Sequence, residues 1–272
     1  KTFFNKMNSD ITIVLLLYKT PLTLIKNLEP LKKFKIIILD QSNDFQFKKK
    51  VTKVLPNIKR YYLSKNNIGF AKGINSLVKK VKTKYFFCTQ PDVLINEKSI
   101  VELKKTFLRN KKNSIVTIPL INKKKKGLKD IEVKSMIGAS FLSNKKKFIE
   151  VGMFDEDFFF YWEDIEFSKR IKKFGYKIFE SQKSLAIHNN GNSSKETYKT
   201  MFIRSKNFIF GELVFDLKCK KIRILKILRK FMQSTLFIIV NFFLLKFKKV
   251  NINFAKLCGI ISFLLLIIKK YL

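Results

Sequence analysis

Between residues 11 and 119 the chain repeats one rhythm: a short apolar run rich in β-branched and aromatic residues, then a longer mixed segment. ITIVLLLY (11–18), KIIILD (35–40), IKRYYL (58–63), KYFFCT (84–89) and SIVTIP (114–119) read as strands that end in polar or turn residues. Between them, Pro21–Leu31, Phe45–Val54, Ala71–Val81 and Glu97–Leu108 place apolar side chains at helical spacing. Strands this apolar must be covered on both faces. Alternation of strands with helices predicts an α/β fold, with a mostly parallel central sheet flanked by helices. In such sheets ligands bind beyond the carboxyl ends of the strands. The run Ile11–Tyr18 is too short to span a membrane and lacks a small-residue cleavage site, so a buried strand explains it better.

Further along, the rhythm changes. Residues 121–134 form a lysine-rich loop, predicted to be exposed, and 135–216 are less regular, with a helix expected from Tyr198 to Leu213. From Leu217 to Leu272 there are 13 lysines and arginines and no acid. Two apolar runs lie in this segment, FMQSTLFIIVNFFLL (231–245) and LCGIISFLLLII (257–268). At 15 and 12 residues, both fall short of the roughly 20 needed to cross a bilayer. Helices in an anionic membrane surface, or a shallow re-entrant hairpin, suit the charge; a helix pair packed on the body is the alternative. The expected division is therefore a domain over 1–216 and a basic, apolar helical tail over 217–272.

The whole chain carries 57 basic and 20 acidic residues, a net charge of +37. Such a surface attracts polyanions: nucleic acid, anionic lipid, nucleotide diphosphates. The lysines are spread throughout rather than gathered on a recognition element, and no nucleic-acid partner is expected. The three cysteines form no CxxC pair, which argues against a disulfide framework or a zinc site and for a reducing compartment.

The strand ends offer a set of polar groups. Tyr18, Lys19 and Thr20 follow the first strand, and Asp40 ends the second, where it is placed to accept hydrogen bonds from a ribose or base, or to cap a turn or helix. In NNIGFAKGIN (66–75), Gly69 and Gly73 allow close backbone approach at a strand-to-helix junction, and Lys72 offsets phosphate charge. The spacing is neither GxGxxG nor a P-loop. QPDV (90–93) puts Asp92 just past a proline, where a carboxylate either holds Mg²⁺ or Mn²⁺ or caps the next helix.

Six of the 20 acids crowd into 155–166, among Phe158, Phe159, Phe160, Tyr161 and Trp162. A helix starting there and closing near Gly175 turns Trp162, Ile165 and Ile171 to the core. Glu163 and Asp164 fall in its first turn, where the helix dipole favours ionised carboxylates. Glu166 and Arg170, at i and i+4, are expected to form a surface pair worth about 0.3–0.5 kcal/mol. Asp155 and Glu156 complement the dipole and the surrounding lysines.

Taken together, "IVLLLYKT", "IIILDQSND", "NNIGFAKGIN", "YFFCTQPDV", "IGASFLSNKKKFIEVGMFDEDFFFYWEDIEFSKRIKKFGYKIF" and "AIHNNGNS" resemble, in that order, the GT-A-fold glycosyltransferases of family 2, within it the rhamnosyltransferase-like, bacterial polysaccharide-building branch. The resemblance runs from Ile11 to Ser194. It implies a nucleotide-sugar-binding half over 11–120 and an acceptor and catalytic half over 121–216. Tyr18, Lys19, Thr20 and Asp40 would line the base and ribose; Asn67, Gly69, Lys72, Gly73, Asn75 and Gln90 would border the nucleotide and its diphosphate. Asp92 matches the last acid of the family's DxD metal motif, and Gln90 stands where many members carry the first. His188 matches a histidine near the metal. Asp164, with Glu163 beside it, matches the catalytic base; Tyr161 and Trp162 would form an acceptor-side aromatic wall. The implied activity is inverting transfer of a sugar, dTDP-rhamnose being one donor, to a glycan or lipid-linked hydroxyl at the cytoplasmic face of a bacterial inner membrane. The alternatives are an inactive scaffold of the same fold, which Gln90 favours, and a nucleic-acid-binding basic protein.

Overall fold

The computed structural model describes residues 9–111, 113–122, 127, 129–189, 193 and 196–271. Part of the lysine-rich loop and most of the loop after His188 lie outside the described residues. Two compact units divide the chain, Lys1–Asp155 with Asp164–Lys195, and Glu156–Glu163 with Glu196–Leu272.

The first unit is built on one sheet, with strands β1 (Ile11–Leu17), β2 (Lys35–Asp40), β3 (Ile58–Leu63), β4 (Tyr85–Thr89), β5 (Val93–Ile95), β6 (Ser114–Ile121), β7 (Ile131–Val133), β8 (Ser140–Asn144) and β9 (Lys177–His188). Its order is β3-β2-β1-β4-β8-β6-β9-β5, with β7 on β9. The first four strands pair in parallel; β1, β2 and β4, inside the sheet, are almost wholly apolar and buried, while β3 at its edge carries the exposed Lys59 and Arg60. Beyond them the sheet is mixed: β8 runs antiparallel to β4 and β6, β6 and β9 are parallel, and β5 and β7 run antiparallel to β9.

Helices α1 (Leu22–Lys26), α2 (Phe45–Val54), α3 (Phe70–Lys80), α4 (Glu97–Arg109), α5 (Lys145–Glu150) and α6 (Glu163–Lys173) complete the fold around this sheet. The single helix expected over Pro21–Leu31 is instead α1 followed by a 3-10 turn at Glu29–Leu31. Pro30 has no N–H to continue the ladder. The side chain of Asp44 caps α2 by accepting the Phe47 N–H (2.8 Å), and Asn96 caps α4 by accepting the Ser99 N–H (2.9 Å).

Alternation along the central strands feeds two cores. Ile13 and Leu15 of β1, with Tyr85 and Phe87 of β4, pack against Ile25, Val51, Ile100 and Leu103 from the flanking segments. Phe86 points to the other face, into an aromatic cluster with Phe141, Phe148, Phe154 and Phe167, ring centroids 4.7–6.3 Å apart. Each fully buried side chain of this size stabilises the fold by about 1.5–3 kcal/mol. On this face α3 lies so close to β1 that a Cβ at Gly73 would sit 2.7 Å from Leu16 Cδ1.

In the second unit, α7 (Tyr198–Lys218) runs five residues beyond the expected Leu213, and α8 (Ile224–Phe243) and α9 (Phe247–Tyr271) follow. Thr197 and Thr200 form a capping box at its start. Phe158, Ile209, Leu213, Ile260 and Phe263 make its core. Within α9, Phe247–Lys269 is long and apolar enough to cross a membrane by length and composition, a longer stretch than the 12-residue run read from the sequence.

Replacing Gly73 with valine should overpack the α3–β1 contact and lower unfolding stability by roughly 1–3 kcal/mol, measurable by urea denaturation.

Candidate active site

Because β1 to β4 are parallel, their carboxyl ends share one edge of the sheet, and backbone bonds stitch the loops there together. The Lys19 N–H donates to Ser42 Oγ (2.6 Å), Gln41 N–H to Leu17 O (2.8 Å), and Ser64 N–H to Asp40 O (2.8 Å). The buried Gln41 side chain accepts the Ile68 N–H (2.8 Å), tying the loop after β2 to the Asn67–Gly69 turn. Gly69, at φ +85°, enters α3 in a conformation that favours glycine, and its N–H donates to Asn67 Oδ1 (3.0 Å). Tyr18 and Asn67 are half-buried at this edge, Lys19 and Lys72 are exposed, and Thr20 is buried, its Oγ1 accepting the Tyr18 N–H (3.3 Å).

Three residues in this group have their polar or packing capacity committed within the protein. Asp40 is fully buried; its carboxylate accepts the Ser42 N–H (2.8 Å) and the Tyr61 hydroxyl (2.9 Å). Burial, and then that carboxylate, push the Tyr61 pKa up, so the phenol stays a donor. Asn75 is buried in α3 and grips the Phe154 backbone, donating to its carbonyl (2.8 Å) and accepting its N–H (3.1 Å). Gly73 meets Leu16, as described.

Asp92 does not cap α4, since Asn96 does. It is 1% exposed, its Oδ2 accepting the Ser193 N–H (3.0 Å) while its buried Oδ1 has no hydrogen-bond partner among the described residues. The antiparallel pairing of β5 with β9 sets Val93 opposite His188, and His188 Nε2 lies 3.6 Å from Asp92 Oδ2. Asn122 holds this histidine's backbone at both ends, accepting its N–H (2.9 Å) and donating to its carbonyl (2.8 Å). Gln90, two residues before Asp92, is half-buried, and its carbonyl accepts the Val93 N–H. At the end of β4, the hydroxyls of Thr89 and its cross-strand partner Ser140 are also buried without hydrogen-bond partners among the described residues. An open carboxylate oxygen next to an imidazole is a donor set for a hard divalent cation whose remaining places go to phosphate oxygens and water. Among the described residues no cluster of three or more such side chains occurs.

Asp164 sits in the first turn of α6. Its Oδ2 accepts the Gly138 N–H (2.9 Å) and its Oδ1 the Ile165 N–H (2.8 Å). Burial pushes its pKa above the usual aspartate range, and the backbone hydrogen bonds only partly oppose this. Ser168, one turn on, accepts the Met136 N–H (3.0 Å), so the loop before β8 is fastened to α6 at two points. Glu163, at the start of the helix, is buried.

Elsewhere in the helix the expected pattern shifts. Phe167 and Ile171 are fully buried, whereas Ile165 is exposed. Glu166 and Arg170 are not a loose surface pair. Glu166 is buried, and Arg170 donates to both its oxygens (2.7–2.9 Å) and to the carbonyls of Val151 and Met153 (2.6 Å each). Between those carbonyls Gly152 has φ +93°. The guanidinium fork therefore holds a tight turn as well as a carboxylate.

In the second unit, Tyr161 and Trp162 take successive positive φ values of 72° and 73°, a costly conformation for aromatic residues. The Trp162 indole donates to Phe208 O (3.1 Å) and packs on Phe208 and Phe215; a Cβ at Gly211 would lie 3.0 Å from its ring. Both rings are half-buried.

Arg170→Ala should cost about 1.5–3 kcal/mol of stability, more than a surface pair would, because a buried carboxylate and two turn carbonyls lose a charged donor; thermal and urea unfolding check this.

The pattern of glycosyl transferase family 2 matches residues 15–166, more than half of the chain. By sequence, no curated protein matches it. Among solved structures it is similar to GalNAc-T7 with UDP, GalNAc and Mn²⁺ (TM-score 0.55, 14% identity, 75% of this chain and 48% of that one). It is also similar to the mannosyltransferase PcManGT from Pyrobaculum calidifontis in complex with GDP-Man and Mn²⁺ (0.55, 11%, 75% and 64%). The third is S. aureus TarS, residues 1–349 (0.53, 14%, 72% and 64%). The chain thus spans less than two thirds of each of these proteins. The likeness carries the fold, a mixed α/β sheet of GT-A type, and with the match over 15–166 it follows that the chain belongs to glycosyl transferase family 2.

Proposed function

We propose that the chain is an inverting glycosyltransferase that moves a sugar from a nucleotide diphosphate sugar, dTDP-rhamnose in our reading, to a hydroxyl of a glycan or lipid-linked acceptor in cell-surface polysaccharide synthesis. The observation that carries this is Asp164: a carboxylate oriented by two backbone N–H groups, with its pKa raised by burial. A general base gains strength as its pKa approaches the working pH. Asp164 takes the proton of the acceptor hydroxyl as that oxygen bonds to the anomeric carbon and the sugar–phosphate bond breaks on the opposite side. Attack opposite the leaving group inverts the centre.

On the donor side, the stitched loops carrying Tyr18, Lys19 and Thr20 border the base and ribose, with Asp40 acting at one remove through the Ser42 and Tyr61 it fastens. Asn67, Gly69 and Lys72 border the diphosphate, while Gly73 and Asn75 hold the helix that presents them. Asp92 and His188 would hold Mg²⁺ or Mn²⁺, which neutralises charge on the departing diphosphate; the unpartnered Asp92 Oδ1 fits such a role. Gln90 borders the same edge. Tyr161 and Trp162, immediately before Glu163 and Asp164 in the chain, serve the acceptor side. The basic segment 217–272 brings the enzyme to anionic lipid on the cytoplasmic face of a bacterial inner membrane.

Asp164→Asn should keep donor binding, read by thermal stabilisation across a panel of nucleotide sugars, and lose about 10²–10⁴-fold in transfer. Full activity in that variant would remove the assignment. The base works ionised, so transfer by the parent chain should fall, as pH drops, through a value above the ordinary aspartate range. A carboxyl whose pKa is raised by folding loses stability contribution as pH climbs past its unfolded value, so Asp164 should contribute less to the parent's stability at neutral pH than below that value, which thermal unfolding against pH checks. Asp92→Asn should abolish the gain in nucleotide affinity that added Mn²⁺ gives, measured by calorimetry.

A further inference from the structure

Helix α8 is inside-out. Ile227, Ser234 and Asn241 are buried at seven-residue spacing, and Ile238 and Lys230 are half-buried beside them. At 3.6 residues per turn, Leu225, Leu228, Met232, Leu236, Ile239 and Phe243 form a stripe about 180° away, and all six are exposed, Leu225 and Phe243 at 79%. Lys226, Lys230, Ser234 and Asn241 face the helix's own unit, Lys226 and Lys230 pairing with Glu212 of α7 (2.8 and 3.0 Å) and Lys226 also with Asp216, while Arg229 and Gln233 are exposed. A water-facing helix has the opposite polarity. In α9, Phe254, Ile261, Leu265 and Ile268 add a second exposed apolar stripe. Around both stand exposed cations, Arg223, Arg229, Lys246, Lys248, Lys249 and Lys269, and the segment 217–272 has no acid. A large apolar face within a basic collar fits an anionic lipid surface.

Length alone would let α9 cross a bilayer, but its other side is fastened along α7. Asn251 donates to Tyr198 O (2.9 Å), and Ile260 and Phe263 pack with Ile209 and Leu213. At Gly259 a Cβ would come within 2.5 Å of the Lys206 carbonyl oxygen. Over that stretch α7 carries Lys199, Arg204, Lys206 and Glu212, a helix that a hydrocarbon core does not accept. We propose that α8 and α9 lie in the plane of a single leaflet of an anionic membrane, their exposed stripes in lipid and α7 on the water side, with no segment crossing. This deepens the membrane partner proposed above and rests on it.

The test uses the full chain with preformed sealed vesicles of phosphatidylglycerol and phosphatidylethanolamine. The parent should float with them. The double variant Leu236→Glu/Phe243→Glu, which alters only exposed side chains, should lose at least tenfold of the floated fraction while keeping its circular dichroism spectrum and nucleotide-sugar stabilisation. In Lys246→Cys and Lys269→Cys chains, compared with the parent's own cysteines, a membrane-impermeant maleimide added outside should label both positions fully. Protection of either position from outside together with its reaction with a reagent trapped in the lumen would mean that a helix crosses, and would overturn the in-plane placement alone. A parent that fails to float would remove the membrane partner as well. Unchanged flotation of the double variant, or a dimer that buries these stripes without lipid, would reject the lipid-facing assignment.

Discussion

Both candidate carboxylates take their position from the pairing of β4, parallel to β1 on one side and antiparallel to β8 on the other. Five buried residues alternate between two cores, Tyr85 and Phe87 to one, Phe86 to the other, so the strand cannot slip by one without exchanging its faces. From its carboxyl end the chain passes through Pro91 to Asp92. From its other neighbour, the loop that leads into β8 brings the Gly138 N–H to Asp164. The two candidate carboxylates, 72 positions apart in sequence (164 less 92), thus depend on the two edges of one strand.

Much of this frame was legible in the sequence. β1 to β4 and α2 stand within a residue of their expected runs: β1, β2 and β4 are buried on both faces and leave little polar interruption, while the edge strand β3, with exposed Lys59 and Arg60, is marked by its aromatic and β-branched letters. The short strands β5 and β7 were not legible, since three residues show no period, and β9 mixes polar and apolar letters along its 12 residues. For the site, sequence order pointed to Asp92, His188 and Asp164, and the structure sets the first two side by side. What it could not reveal were the groups that fasten these residues and the neighbouring loops. Gln41, Gly138 and Asn122 act on partners 27, 26 and 66 residues away. Within NNIGFAKGIN, glycine and asparagine look alike whether they face a ligand or a neighbouring helix; Gly73 and Asn75 turn out to be packed inside.

The same limit explains the tail. Counting uninterrupted apolar letters divided it into two short runs, because Asn253 and Lys256 break the second. In the helix those two polar groups bond to one another and Asn253 to the Lys249 carbonyl (2.8 Å), so the interruption is absorbed locally. What distinguishes a lipid-facing helix from a soluble one is which side its polar residues occupy, and that requires knowing what it packs against.

The Arg170 fork has one more consequence. A guanidinium stays charged at any pH a protein survives, so the bonds it makes to the Val151 and Met153 carbonyls do not titrate. The turn beneath α6 keeps its shape while Asp164, on the same helix, gains or loses a proton. The Asp164 carboxyl can therefore change its protonation while the turn that supports its helix stays held.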